Sequence, residues 1–503
     1  MDIERRRKDA ASTLWKSTLP DVDRSMLSLN VPHLSAFRHL DLPYYKQLLD
    51  SKDLIIVVVY TIDHLHNKIG WIARIHEVAG LYVYVKWLGV ENDPSVSGRW
   101  MNISDKSLIL ATNIPNENFK LIAPQAVLTS CSYNLKPASI TPNQIRDNRE
   151  DDYKVISNYD SGMREGMFCE ILDCSSLAAG CQVRVGMIKS IVGRRLCVAV
   201  TETKSYETEY YVWLDKFNNY LFYVGWATLN GYAISAKDSY LDHCRSVAMA
   251  LKSGAVPPYL PHDLRRETLI DIATHEAKFR QFEFFTRRMK LEVQDPFSQC
   301  NNELHVATVH KVFEDGYLLI SLDGPDAEHD IFPVHSLSTL LFPVGYAQRN
   351  SIKLQTPPDV RSFDWDRYLR ATNSVAAPLC LFKPDPSPDR LRDFPIGGKI
   401  EAFDVIEKNA ICPATIKRHC GRLLLISFDG WSEDYDQLVD IDSPDIFPIG
   451  WCETNGVPLD VWMEEDVPLV QQNISLNADT TRMFGYLQME VDNVVVKEET
   501  QVI

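Results

Sequence analysis

Near the end of the chain the run SFDGWSEDYD sets three aromatic residues, Phe428, Trp431 and Tyr435, at spacings i, i+3 and i+7. A strand end that runs into a loop can curl residues so spaced around one cavity. Such a cavity suits an alkylated ammonium ion, which keeps its charge but loses a hydrogen-bond donor with each methyl, so that aromatic faces become its natural partners. A carboxylate adds selectivity, because it accepts a hydrogen bond from the N–H that mono- and dimethylated groups retain and trimethylated ones lack. Asp404, which ends the segment GKIEAFD, is the candidate acid. The competing reading is ordinary core packing, where aromatic residues at such spacings more often go, although packing alone does not ask for an acid in register.

The elements that must position these side chains belong to a unit that recurs. The phrases LFYVGWATLNGYAI, LFPVGYAQRNSIKL and IFPIGWCETNGVPL are versions of one another, with Gly-aromatic pairs at Gly225-Trp226, Gly345-Tyr346 and Gly450-Trp451. Their intervals are domain-sized, so each unit is expected to own a core, unlike a solenoid repeat. Upstream of each phrase stands a second recurring element, MFCEILDCSS from Met167, MKLEVQDPFS from Met289 and GKIEAFDVIE from Gly398, each ending its core in an Asp. Between them run short alternating strands such as ICPATIKRHCGRLLLISFDGW, the pattern of a small barrel. A first, worn copy begins at IIVVVYTIDH; it places Trp100 where the second unit has Trp213 and lacks the closing pair. Before the last barrel, RSFDWDRYLRATNSVAAPLCLF reads as a helical arm with Phe363, Trp365, Tyr368 and Leu369 clustered, able to clamp a neighbouring barrel. PDPSPDR, from Pro384 to Arg390, reads as a turn-rich linking loop. The tail after about Trp462 reads as weakly ordered, with LVQQNISL and MFGYLQMEV as the parts able to dock.

Counting back from the Gly-aromatic pair compares the would-be pockets. Unit two offers Asp173, Tyr206 and Tyr210, a possible secondary pocket, with Thr203 replacing the first ring. Unit three keeps Asp295 but sets Leu322, Pro325 and His329 where rings belong, which argues against cation binding there. Unit one offers Asp63 and Trp87 without matching partners.

Composition bounds the function. At 503 residues the chain exceeds a single core and has room for roughly three to five units. A net charge of −16 opposes wholesale gripping of a phosphate backbone and favours basic partners. Eleven cysteines without a CxxC pair read as reduced, buried thiols inside a cell. The charged start MDIERRRKDAAS lacks an apolar leader, and the longest apolar run, Leu54 to Tyr60, is too short for a membrane span. No P-loop, dinucleotide glycine fingerprint, HExxH or GxSxG element occurs, so the expectation is no enzyme, no cofactor and no metal; His305, His310, His329 and His335 of unit three read as strand and turn residues. The clusters ERRRK and RRMK suit either nuclear import or solvated helix faces, and VKEE at Val496 to Glu499 has the form of a sumoylation acceptor at Lys497.

FDWDRYLRATNSVAAPLCLF, then GKIEAFD, SFDGWSEDYD and SPDIFPIGWCETNGVPL, resembles the MBT (malignant brain tumour) repeat nearly element by element. Units two and three resemble it less closely and unit one least, so the likeness runs from about Ala10 to Trp462. Four such repeats resemble the four-MBT chromatin proteins of the Sfmbt group and nematode relatives. The resemblance implies a mainly β fold with helical arms, each repeat a Tudor-like five-stranded barrel plus an N-terminal arm: a degenerate repeat at 10–125, repeats at 126–238 and 239–356, the repeat with an intact cage at 357–463, and a tail at 464–503. It implies Phe428, Trp431 and Tyr435 as the three cage rings and Asp404 as the pocket acid. Glu407 falls where relatives often carry Asn, and Cys412 matches a common position beside the pocket. The function implied is nuclear and non-enzymatic: binding mono- or dimethyl-lysine, with trimethyl-lysine less favoured, on H3 or H4 histone tails, in transcriptional repression with repressor-complex proteins and without sequence-specific DNA contact. The alternative is a scaffold that bridges repressor proteins with little methyl-lysine binding of its own.

Overall fold

A computed structural model of the chain describes residues 14–19, 30–40, 55–88, 90, 96–110, 119–130, 162–173, 182–201, 209–216, 218–269, 284–296, 298, 301–313, 316–324, 331–357, 362–405, 410–461 and 486–487. It divides into two compact units, one containing residues 1–161, 192–194 and 276–481, the other 162–191, 195–275 and 482–503. Among the described residues no helix is long and apolar enough to cross a membrane.

Period-two patterning yields four sheets, each curled into a half-barrel. The first holds β1 (Ile55–Ile62), β2 (Lys68–Ala79), β3 (Tyr82–Trp87), β4 (Arg99–Asn102) and β5 (Leu108–Leu110) in the order β4-β3-β2-β1-β5, with β6 (Phe119–Leu121) parallel to β2. The second repeats the plan with β7 (Phe168–Asp173), β8 (Gln182–Val192), β9 (Arg195–Thr201), β10 (Glu209–Asp215), β11 (Leu221–Phe222) and β12 (Ala233–Ser235). The third uses β13 (Lys290–Val293), β14 (Glu303–Val312), β15 (Tyr317–Leu322), β16 (Ile331–His335), β17 (Leu341–Phe342) and β18 (Lys353–Gln355). The fourth runs β22-β21-β20-β19-β23, from β19 (Lys399–Phe403), β20 (Ile411–Cys420), β21 (Leu423–Phe428), β22 (Gln437–Asp440) and β23 (Ile446–Phe447). One bulge recurs at matching places, Ile75/Glu77 in β2, Val309/Lys311 in β14 and Ile416/Arg418 in β20. The extra residue bends the long strand and curls each sheet around its own core. The expected mainly β architecture of four small barrels with arms is what the chain adopts, the worn first copy included.

The arm before the fourth barrel contains the expected helix, Trp365–Ala371, whose N-cap Asp364 accepts the Arg367 N–H at 2.9 Å. PDPSPDR departs from its reading as a loop: Pro388–Arg392 is a helical turn. The reason is local, since Ser387 caps it, Pro388 fits the first turn, and buried Arg390 is bound by Asp393 at 3.0 Å and Asp442 at 2.8 Å. Of the tail segments expected to dock, MFGYLQMEV supplies β24 (Tyr486–Leu487), antiparallel to β10, while LVQQNISL lies outside the described residues.

Candidate functional site

The Gly-aromatic phrase builds the frame of each barrel. Gly225, Gly345 and Gly450 take φ of +91°, +81° and +86°, left-handed backbone that favours glycine, and open short helices at Trp226, Tyr346 and Trp451. The unpaired N–H groups at each helix start meet a buried carboxylate. Glu401 accepts from Gly450 N–H at 2.7 Å and Cys452 N–H at 2.8 Å; Glu292 accepts from Gly345 and Ala347, and Glu170 from Gly225 and Ala227, all at 2.7 Å. The arms add a third donor: Trp15 Nε1 to Glu401 at 2.8 Å, Trp365 Nε1 to Glu292 at 2.9 Å, and the Cys244 thiol to Glu170 at 3.4 Å. Burial pushes Glu170 and Glu401 up to about 7, against these bonds to the charged form. Sequence reasoning fixed on the Asp that closes FCEILD, KLEVQD and KIEAFD and missed these glutamates, although the same alignment shows a Glu three residues earlier in all three.

β19 therefore carries Glu401 in the frame and delivers Asp404 just past its last residue. Asp404 is buried; its N–H donates to the Ala410 carbonyl at 2.9 Å, and its Oδ1 accepts from Gln437 Nε2 at 2.6 Å. Gln437 is itself wholly buried and opens β22, two residues after Tyr435. The acid and the aromatic loop are thus joined through one amide side chain.

The loop leaves β21 after Phe428. Trp431 and Tyr435 are 37% and 39% exposed, with ring centroids 5.3 Å apart and planes at 62°, so their faces meet at an angle at the surface. Phe428 sits differently: it is 2% exposed and belongs to the barrel core with Cys412, Ala414, Ile426 and Phe394. Phe428 and Cys412 are core residues, and the two exposed rings stand on the loop that follows Phe428. That loop is pinned at both ends. Asp429 accepts from Lys399 Nζ at 2.7 Å and from the Thr415 hydroxyl at 2.6 Å, while Lys417 Nζ donates to Asp436 and Glu433 at 2.9 Å each. Between the pins, Gly430 takes φ +92° and residues Glu433–Tyr435 make one 3-10 turn. Glu407 lies outside the described residues.

Strand registers compare the other repeats. Phe428 faces Ala414 across β20 and β21; Leu322 faces Ala307 in the third sheet and Trp87 faces Ala73 in the first, so these residues share one position. The third repeat has no ring there, as counted, while Pro325 and His329 lie outside the described residues. In the first repeat Tyr60, at a bulge in β1, lies 6.0 Å from Trp87 edge-to-face, a partner that counting missed because it precedes the acid in the chain, whereas the rings counted in the second and fourth repeats follow theirs. There Lys120 Nζ sits 2.8 Å from Asp63, and Lys120 with Asn67 holds that carboxyl well below the usual range, so the first repeat's acid already binds a lysine of its own chain. In the second repeat Asp173 ends β7 and Tyr210 lies on β10; their side chains, and Thr203 and Tyr206, lie outside the described residues. Among the described residues no group of three His, Cys, Asp or Glu is placed to hold a metal ion.

A family model described as "mbt repeat" matches residues 167–241, 289–361 and 398–463. Protein lin-61 of Caenorhabditis elegans is 31% identical over 486 residues, covering 90% of this chain and 76% of its own. MBT domain-containing protein 1 of Homo sapiens is 31% identical over 415 residues, covering 81% of this chain and 61% of its own. The crystal structure of the four MBT repeats of Drosophila melanogaster Sfmbt, in complex with the peptide RHR(me)KVLR, superposes with a TM-score of 0.69 at 27% identity, covering 89% of this chain and 98% of that one.

Proposed function

The chain belongs to the MBT repeat family, and from that premise we propose that it binds methylated lysine through the fourth repeat, residues 357–463. Asp404, Trp431 and Tyr435 make the pocket, and Phe428 and Cys412 form its floor; Glu407 contributes at the rim. The observation that carries this reading is the pair of half-exposed rings on a doubly pinned loop, linked through Gln437 to a buried carboxylate. The two faces attract the cation of a methylated ammonium, and Asp404 accepts the remaining N–H of the mono- and dimethyl forms, a donor that trimethyl-lysine lacks. That Sfmbt's repeats were crystallised with a methylated-lysine peptide supports the same chemistry.

The natural ligand in this reading is a lysine-bearing histone tail, a basic segment suited to a chain of net charge −16. The role is non-catalytic, nuclear and repressive, with repressor-complex proteins as further partners and the other repeats bracing the fourth or binding those partners; Asp173, Tyr206 and Tyr210 are the candidates for a secondary pocket in repeat 2. So small a contact gives affinities on the order of micromolar or weaker. Trp431→Ala tests the assignment: calorimetry with the Arg-His-Arg-methyllysine-Val-Leu-Arg peptide is expected to show a loss of about tenfold or more, with the melting temperature nearly unchanged because the ring is exposed. Unaltered affinity in that variant rejects the site.

A further inference from the structure

The arm that precedes the fourth barrel does not seat on it. Trp365 donates to Glu292, Lys290 N–H donates to the Val375 carbonyl at 2.8 Å, and Phe382, following the 3-10 turn Leu379–Leu381, meets Phe285 edge-to-face at 6.1 Å. All three receivers belong to the third barrel. The fourth barrel receives the same three contacts from the N-terminal segment. Trp15 donates to Glu401 across 386 positions, Lys399 N–H donates to the Asn30 carbonyl at 3.2 Å, and Phe37, following the 3-10 turn Leu34–Ala36, meets Phe394 edge-to-face at 5.3 Å. Asn30 adds a bond from its Nδ2 to the Ile396 carbonyl at 2.7 Å.

These contacts fall on the strand and core that hold the pocket. Asn30 grips the first residue of β19 and Trp15 its middle, and Asp404 follows its end. Ala36 and Phe37 lie in one apolar cluster with Phe428 and Cys412. Without these residues a buried carboxylate loses its indole donor and the core around Phe428 loses Ala36 and Phe37, and both defects lie within a few residues in sequence of Asp404 and Trp431. We propose that the N-terminal residues 14–19 and 30–40 are the positioning element of the fourth repeat's pocket, so that methylated lysine binds with full affinity only while Trp15 and Phe37 are seated. This rests on the fourth repeat being the methyl-lysine site. Trp15 and Phe37 are positioning residues that do not touch the ligand.

The test uses the full chain and the Arg-His-Arg-methyllysine-Val-Leu-Arg peptide. Trp15→Phe keeps the apolar bulk and removes the donor, and is expected to weaken binding by roughly threefold. The double variant Trp15→Ala with Phe37→Ala is expected to lose about tenfold or more while circular dichroism still reports the β fold. Excess synthetic peptide spanning residues 13–40 is expected to restore the double variant's affinity at a temperature where that variant is still fully folded, so that reseating of the segment and not refolding is read. Unchanged affinity in both variants, or a loss that the added segment fails to restore, overturns the proposal. Should the unaltered chain itself ignore the methylated peptide, the pocket assignment fails first and this inference with it.

Discussion

Glu401 on β19 and Asp404 just past its end stand three residues apart and do opposite work. Asp404 accepts from Gln437, two residues past Tyr435, so Asp404→Asn keeps that link and removes only the charge that, in the proposed pocket, prefers a ligand N–H. The expected outcome is a loss of about tenfold for monomethyl- and dimethyl-lysine peptides and little change for trimethyl-lysine, read by calorimetry. Glu401 is locked into the frame, and burial raises it from the ordinary 4.5 to about 7. A carboxyl whose folded value is raised contributes stability that is fully present below about 4.5 and is lost as pH rises through about 7. The Tyr82 phenol and the Cys452 thiol lie near it, and Glu453 accepts from Tyr82, so the carboxyl keeps acidic and weakly acidic company. Glu401→Gln is expected to flatten the decline in urea-unfolding stability over that interval, and to cost about 1–3 kcal/mol at neutral pH by leaving an N–H without its acceptor. The Asp was legible in the sequence because it closes each repeated element. The Glu was equally regular but carries no chemistry of its own, and its purpose emerges only when the Gly-aromatic turn is seen to present two N–H groups to it.

At the scale of elements, the ring-bearing loop owes its shape to its pins more than to its own residues. Lys417 is the stronger pin to test, because Asp436 is buried while Glu433 is 89% exposed and contributes little. Lys417→Met leaves Asp436 buried without that cation, at a cost of about 1–3 kcal/mol. Peptide affinity is expected to fall several-fold while the loop keeps its composition; unchanged affinity shows that the loop is shaped without the pin. Alternation of apolar residues made the strands and the barrel grammar readable. The curled sheets also depend on bulges, which periodicity does not mark, and Tyr60 reaches Trp87 from β1, ahead of the stretch in which rings were counted. PDPSPDR became a helical turn because Ser387 and Pro388 suit its start and Arg390 pairs both with Asp393, three residues on, and with Asp442 far along the chain, a distant contact that local turn propensity does not register.

Across the whole molecule, the repeats and their order were readable from the recurring phrases, whereas the seating of the N-terminal segment on the fourth barrel was not, since no local pattern encodes a contact 386 positions away. The same sequence grammar does announce it in retrospect: LSAF at Leu34 to Phe37 parallels LCLF at Leu379 to Phe382, each following a tryptophan that reaches a buried glutamate. Repetition with divergence also explains why pockets differ. The first repeat binds its own Lys120 at Asp63, the third lacks a ring at Leu322, and the fourth presents two exposed rings on the loop that ends at Gln437, the partner of its acid. The most direct measurement is calorimetric titration of the full chain with the Arg-His-Arg-Lys-Val-Leu-Arg peptide in unmodified, monomethyl, dimethyl and trimethyl forms. Measurable binding of the mono- and dimethyl forms, weaker trimethyl binding and none of the unmodified peptide is the predicted result. Equal binding of all four forms, or none of any, contradicts a methyl-lysine pocket in the fourth repeat.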